Sequence, residues 1–359
     1  LAEAGRAGMT VERATIERLG QMADALALAV DTGSGGELRA PRFGDSDESQ
    51  VAQLDAPGMT VAARTLSLAA ACCDIGASWP PVPPTVRGAL VGAFAGAALR
   101  TTRPPADIEQ LARDGYLAIA STAADDGSPR WWSAMRVGAF SYLPIGSHTH
   151  ADLLSLELRL DGHDVVTDPG TYVYGALPGW RRRLRTTAAH ATLCLDDSDQ
   201  IEYWGPFLWG GDATARVIRC DRDAPGRAVG WLVEHDAYTR LDPAATVSRE
   251  VRVDGASLRV VDRVSRRGAG RVAVLWPLAP GCEVLSLDDA RATVRVADRE
   301  LDIELPPALA WESIVPGTTP AGMTSPAFGV LEPAPALRGT ATTDGDMELI
   351  TRFAVRARS

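Results

Sequence analysis

Residues 153–167 read LLSLELRLDGHDVVT. Apolar and polar side chains alternate from Leu154 to Leu160, and residues two apart on a strand share one face. An Asp-Gly pair then opens onto a second β-rich run. Asp-Gly between two such runs supplies the positive φ angles of a tight two-residue turn, so the stretch predicts an antiparallel hairpin. The same grammar returns at ATVSREVRV (245–253), Asp254-Gly255 and SLRVVDRV (257–264). From residue 112 onward the texture predicts about 14 strands or more, no long helix, and therefore an antiparallel β-sandwich.

Upstream the pattern is different. The segment 9–30 places Ile16, Leu19, Met22, Ala23 and Leu26 at helical spacing behind Thr10, a suitable N-cap. Two further helices are expected over 60–76 and 85–100, the second introduced by the proline-rich WPPVPP, and their Ala/Gly faces allow close packing. The fold class is thus α+β, with a helical segment over 1–110 followed by a large antiparallel β-sandwich over 111–359.

Bulk properties narrow the function. The chain has 359 residues and a net charge of −10, which argues against nucleic acid as a general partner. No apolar run reaches the ~18–20 residues a membrane-spanning helix needs. Five cysteines without CxxC spacing set no disulfide framework, and Cys72 and Cys73 read as small core residues. The first residues lack a basic start followed by an apolar stretch, so no targeting signal is read there. They also lack an initiator Met, which suggests a piece of something longer.

Chemistry concentrates in a few places. Only five histidines occur, and two of them, His148 and His150, lie two apart just before the alternating run. If that run extends back to them, both rings reach one site. Asp168 follows the hairpin and His190 heads another strand-like run, HATLCLD. Two or three imidazoles with one carboxylate suit tetrahedral zinc. Spacing alone fits surface or core histidines as well. His163 reads as exposed after a turn, and His235 as a cap at a strand end. Trp131 and Trp132 read as core, with a sugar-stacking role as the sharper alternative. Asp45 and Asp47 read as polar residues lining a cleft.

The stretches GSHTHADLLSLELRLDGHDVVTDPGTYVYG (146–175) and RRRLRTTAAHATLCLDD (181–197) resemble the signature of the heparinase II/III-like polysaccharide lyases, and GDSDES (44–49) resembles that family's GD-x-D loop. The resemblance covers roughly residues 40–359. It implies the end of an (α/α) toroid followed by a β-sandwich, and β-elimination of a uronic-acid-containing, anionic polysaccharide in the periplasm or outside the cell. It assigns His148 to the uronate carboxylate, Tyr172 to the catalytic cleft, and His150, Asp168 and His190 to zinc. Asp45, Asp47, Tyr174 and Arg185 are expected at the substrate, Arg185 as part of the family pattern; by their own chemistry Arg181, Arg182 and Arg183 either attract an anionic chain or form a solvated loop.

Two departures stand out. Ala191 occupies the position where the family usually has Asn, which removes a hydrogen bond beside the metal. The family's toroid also supplies a Tyr acid and a second His, whereas this chain has no His before 148 and no Tyr before 116. The expectation is therefore a lyase represented by its C-terminal portion. The alternative is a catalytically incomplete, carbohydrate-binding or structural member of the same family.

Overall fold

The Asp161-Gly162 hairpin forms as the sequence dictates. Asp161 and Gly162 both take positive φ, 50° and 80°, and His163 pairs back onto Leu160. The computed structural model describes residues 12–48, 54–76, 79–95, 103–122, 128–141, 145–224 and 226–356. The chain divides into two compact units, Leu1–Pro41 with Glu48–Leu111 and Arg42–Asp47 with Ala112–Ser359. The six residues 42–47, assigned from the sequence to the helical segment, thus belong with the sandwich.

The first unit is helical. Its described residues include the helices Arg13–Ala29, Val61–Cys72 and Val86–Ala95, and Ile108–Asp114 begins in it. Thr10, expected as an N-cap, lies outside the described residues. Thr60 does cap its helix, accepting from the Ala63 N–H at 3.1 Å. Ala23, Ala27, Leu38, Ala63, Leu66 and Trp79 form the core, and the Trp79 indole donates to Asp24 at 2.6 Å.

The second unit is built from three large antiparallel sheets. One has nine strands in the order Cys282–Asp288, Arg291–Val296, Arg299–Glu304, Met347–Val355, Ser257–Arg266, Ala245–Asp254, Ala228–His235, Thr214–Arg222, Gly138–Ala139. A four-stranded sheet runs Leu117–Ser121, Trp131–Arg136, Leu156–Leu160, His163–Val166. Another runs Ala310–Ile314, Ala336–Asp344, Ala269–Pro277, Leu193–Leu195, and a bridge between Val166 and Leu278 joins the two small sheets. Trp231 of the large sheet donates to the Ile119 carbonyl at 2.9 Å, and Trp276 meets Phe353 edge-on at 5.3 Å. These contacts close the sandwich. Trp131 and Trp132 are buried in it.

Alternation decides which face is inward. Along Ala245–Asp254, residues 245, 247, 249, 251 and 253 are buried while their neighbours are more exposed. The slot at 249 holds an arginine. Arg249 is fully buried and pairs with Asp262 through two bonds of 2.6 and 2.8 Å. It also donates to the carbonyls of Leu154 (2.7 Å) and Ala191. A charge on the inner face is tolerable only when its donors are all engaged. Here those donors fasten two loops that carry the candidate site.

Candidate functional site

His148 and His150 lie in a turn and the extended segment after it, and the strand begins only at Leu156. The expectation of a strand through the histidines is corrected on this point. Gly146 takes φ +58° and accepts from the Thr149 N–H at 3.1 Å, which curls the chain before it can pair. Both rings nevertheless reach one group, Asp45. His148 Nδ1 is 3.1 Å from Asp45 Oδ2, and His150 Nε2 is 3.0 Å from Asp45 Oδ1.

Asp45 is carried by the 42–47 strap. The Asp45 N–H donates to the His148 carbonyl at 2.8 Å, and the Ser46 N–H donates to Thr171 Oγ1 at 2.8 Å. Gly44 takes φ +76°, and a Cβ there would stand 2.8 Å from the His148 carbonyl oxygen, so the strap needs glycine at that point. Arg42 donates to the Pro326 carbonyl at 3.0 Å and to Thr167 Oγ1.

Arg181, on the short helix Pro178–Leu184, is fully buried and grips both Asp45 oxygens, with Nη2 on Oδ2 at 2.7 Å and Nη1 on Oδ1. Burial alone would raise the Asp45 carboxyl. The hydrogen bonds from His150 and Arg181, with the charge of Arg181, together outweigh it and hold the group ionised, below the usual carboxylate range. With two donors on each oxygen and a side chain only 2% exposed, Asp45 has no face left for a substrate. It ties His148, His150 and Arg181 together, where the sequence led us to expect it against a substrate.

Behind His150 the polar atoms converge. His190 caps the 3-10 turn Thr187–Ala189, and its Nδ1 donates to the Thr186 carbonyl at 2.7 Å. A carbonyl only accepts, so the proton of the neutral ring is on Nδ1 and Nε2 offers a lone pair. His150 spends Nε2 on Asp45, which leaves Nδ1 facing His190 Nε2 at 3.2 Å. Asp168 Oδ2 lies 3.5 Å from the same His190 atom. Its other oxygen accepts from the Gly170 N–H at 2.8 Å, but Oδ2 is buried without a hydrogen-bond partner. All three residues are buried, and their ligand atoms lie within 4.8 Å of one another.

Three acceptors aimed at one point need something positive among them, a metal cation or a proton. A tetrahedral centre with bonds of about 2.0–2.1 Å sets its ligand atoms about 3.4 Å apart, close to the 3.2 and 3.5 Å seen here. Burial, followed by the charges of Asp152 and Glu157, raises the Asp168 carboxyl well above its ordinary value. Burial and then His150 push the His190 ring well below its own, so it stays neutral and able to coordinate. Ala191 is buried, and its main-chain carbonyl accepts from Arg249.

The remaining expected site residues separate into distinct roles. Arg185 is fully buried, with its guanidinium on the carbonyls of Gly146 (3.1 Å), Ser147 (3.3 Å) and Thr149 (2.7 Å) and stacked over Trp209. It braces the histidine turn instead of presenting charge to a substrate. Tyr172 adopts φ +61° and packs its ring edge-on to Trp180 at 6.1 Å. Tyr174 is the tyrosine beside His148, with ring centroids 6.4 Å apart. Burial, then the charges of Asp45 and Asp47, raise its phenol. Asp47 is exposed, and Arg182 pairs with Asp199 at 2.7 Å. His148 itself is 71% exposed. His235 is buried and accepts from the Ala237 N–H at 3.2 Å, at the end of its strand.

Residues 103–349 match the family model described as heparinase II/III-like, C-terminal. Among solved structures, one titled Heparinase III is 14% identical at a TM-score of 0.65, covering 100% of this chain and 51% of that one. A heparinase III gene product is 16% identical at 0.61, covering 91% and 45%. Heparan sulfate lyase HepC from Pedobacter heparinus is 17% identical at 0.59, covering 92% and 45%. At such identities the likeness is one of fold, and the chain spans about half the length of these structures. No curated protein matches the sequence.

Proposed function

Because this chain belongs to the heparinase II/III-like C-terminal family, we propose that it serves a polysaccharide lyase acting on a uronic-acid-containing, anionic polymer. We further assign zinc to His150, Asp168 and His190. The observation that carries both readings is an exposed histidine and a buried three-acceptor cluster tied to the same carboxylate, Asp45.

The chemistry is β-elimination. The C5–H bond of the uronate breaks, its electrons form the C4–C5 double bond, the C4–O bond opens, and the leaving oxygen takes a proton. The C5 proton is removable only if charge developing on the neighbouring carboxylate is offset. We assign that offset to His148, whose ring Asp45 fixes through Nδ1 and whose side chain is exposed. Tyr174, next to His148, and Tyr172 are this chain's candidates for moving the other protons. Zinc, when bound, supplies a fixed positive charge that pins three loops and orients His150.

We extend the family reading to location, in the periplasm or outside the cell. Among the described residues, no helix is long and apolar enough to cross a membrane. Two measurements test the proposal. Elemental analysis should find one zinc per chain, and none in His190→Ala. Uronate polymers incubated with the complete enzyme should give the ultraviolet absorbance of an unsaturated uronate. Zinc-free protein, or a complete enzyme that leaves every uronate polymer intact, would overturn the corresponding half.

A further inference from the structure

Three aromatic rings from three separate loops meet next to His148. Tyr174 follows the DPGTY turn, Phe207 sits at the tip between the strands Glu202–Gly205 and Leu208–Gly210, and Phe328 lies between Met323–Thr324 and Glu332–Pro333. The Tyr174 ring is 5.6 Å from Phe207 and 5.0 Å from Phe328. Phe207 and Phe328 are each 38% exposed. Large apolar rings held together at a surface cost free energy unless something covers them.

The cup is rigidly built. The Arg181 guanidinium lies 5.1 Å from the Tyr174 ring centre and 4.9 Å from that of Phe207, and it is itself locked on Asp45. Tyr172 is held by its main chain: its N–H donates to Ser325 Oγ at 2.9 Å, and its carbonyl accepts from the Gly329 N–H at 2.7 Å. Those two bonds bring Phe328 against Tyr174, and they require Tyr172 to adopt φ +61°, a conformation costly for an aromatic residue. Gly170 at φ +78° lets the turn approach so closely that a Cβ would stand 2.0 Å from the Ser325 carbonyl. Strain is thus accepted on one loop to complete an exposed aromatic surface beside the exposed histidine.

We propose that Tyr174, Phe207 and Phe328 form a stacking platform for a pyranose ring of the substrate, setting the sugar's apolar C–H face on the rings and its carboxylate toward His148. An aromatic face attracts the slightly positive C–H bonds of a sugar ring, and the exposed edges leave its hydroxyls in water. The flanking His148 selects a ring that carries an anion. This deepens the lyase reading and rests on it for the identity of the sugar. The main chain of Tyr172, through Ser325 and Gly329, sets Phe328 in the platform.

The test is calorimetric binding of an oligosaccharide of alternating uronic acid and hexosamine to the zinc-loaded chain, with the uncharged oligosaccharide of equal length alongside. Phe207→Leu and Phe328→Leu keep apolar volume without a ring, so fold and zinc content should be unchanged. Each should weaken binding of the uronate oligosaccharide about tenfold, the loss of one stacked ring, while Phe207→Tyr restores it. His148→Ala should weaken the uronate ligand and leave the neutral one unaffected. Leucine variants that bind like wild type, or a wild-type chain that binds neither probe, would overturn the platform. Binding that depends on Phe207 and Phe328, in a complete enzyme that forms no unsaturated uronate, would sink the lyase reading and leave the platform standing.

Discussion

Asp45→Asn is the most informative single change, because it keeps the shape of the residue and all three proposed metal ligands. In the wild type each carboxylate oxygen accepts two donors, from His150 and Arg181 on one side and from His148 and Arg181 on the other. The amide offers one acceptor and turns an N–H₂ toward groups that are already donors. Arg181, with no exposed surface, is left without a counter-charge. Breaking a buried ion pair from one side costs about 3–5 kcal/mol. Each kcal/mol lowers Tm by about 2–4 °C in a domain of about 150–250 residues, so the sandwich transition should fall by roughly 6–20 °C.

Acidity supplies the control. The folded-state Asp45 carboxyl is depressed, so its stabilisation is complete above the unfolded value of about 3.9 and is lost as pH falls toward the lowered folded value. Scanning calorimetry should therefore show the full gap between wild type and variant at neutral pH, and a narrowing gap below about pH 4. Zinc affinity should fall about 10–100-fold, as expected when a coordinating histidine loses its outer hydrogen bond. A neutral-pH gap under about 2 °C, or one indifferent to acid, would refute the reasoning that Arg181 depends on this carboxylate.

Three further outcomes are expected. His190→Ala should release the metal, and chelation should lower the wild-type Tm while leaving that of the variant unmoved. In a complete, active enzyme His148→Ala should lower kcat by about 10² or more with zinc content unchanged; loss of zinc would place His148 among the ligands. His235 is pushed down to about 3, first by burial and then by Arg249 against the opposing Asp236. Its unfolded value is about 6.5, so the folded state loses stability as pH falls between those values, about 2 kcal/mol from pH 7 to 5. His235→Asn should show a flatter urea-midpoint profile over that interval, and an unchanged slope would rule out His235 as its source.

The sandwich and the convergence of His150, Asp168 and His190 were legible because both are written in short-range code. Alternation along 245–253 and the Asp-Gly turn at 161–162 are local signals, and HTH, DPGTY and the AAHAT run mark their positions without reference to the rest of the chain. What joins these pieces was not legible. Asp45 meets His150 across 105 positions and Arg181 across 136, and no periodicity reports a contact at such separations. The arginine cluster 181–185 looks like a solvated basic loop, yet Arg181 and Arg185 are fully buried and turned inward onto a carboxylate and a set of carbonyls. Tyr172 and Tyr174 cannot be told apart by spacing, because the positive φ at Tyr172 breaks the alternation that would have ranked them. Arg249 broke a clean apolar stripe, a visible anomaly whose partners at Leu154 and Ala191 only three dimensions supply.

The strap at 42–47 also limits how this protein can be divided. Residues 48–111 separate it in the chain from the sandwich to which it belongs. A chain beginning at Ala112 would carry every strand of the three large sheets, both site histidines of the 148–150 turn, Asp168 and His190, and would still fold around an arginine with nothing to neutralise it. The natural seam between the units therefore does not coincide with any single cut of the polypeptide. Recombination that exchanges helical segments between relatives must carry Gly44 and Asp45 with the sandwich, and a sandwich transplanted without them should arrive with its histidines unanchored.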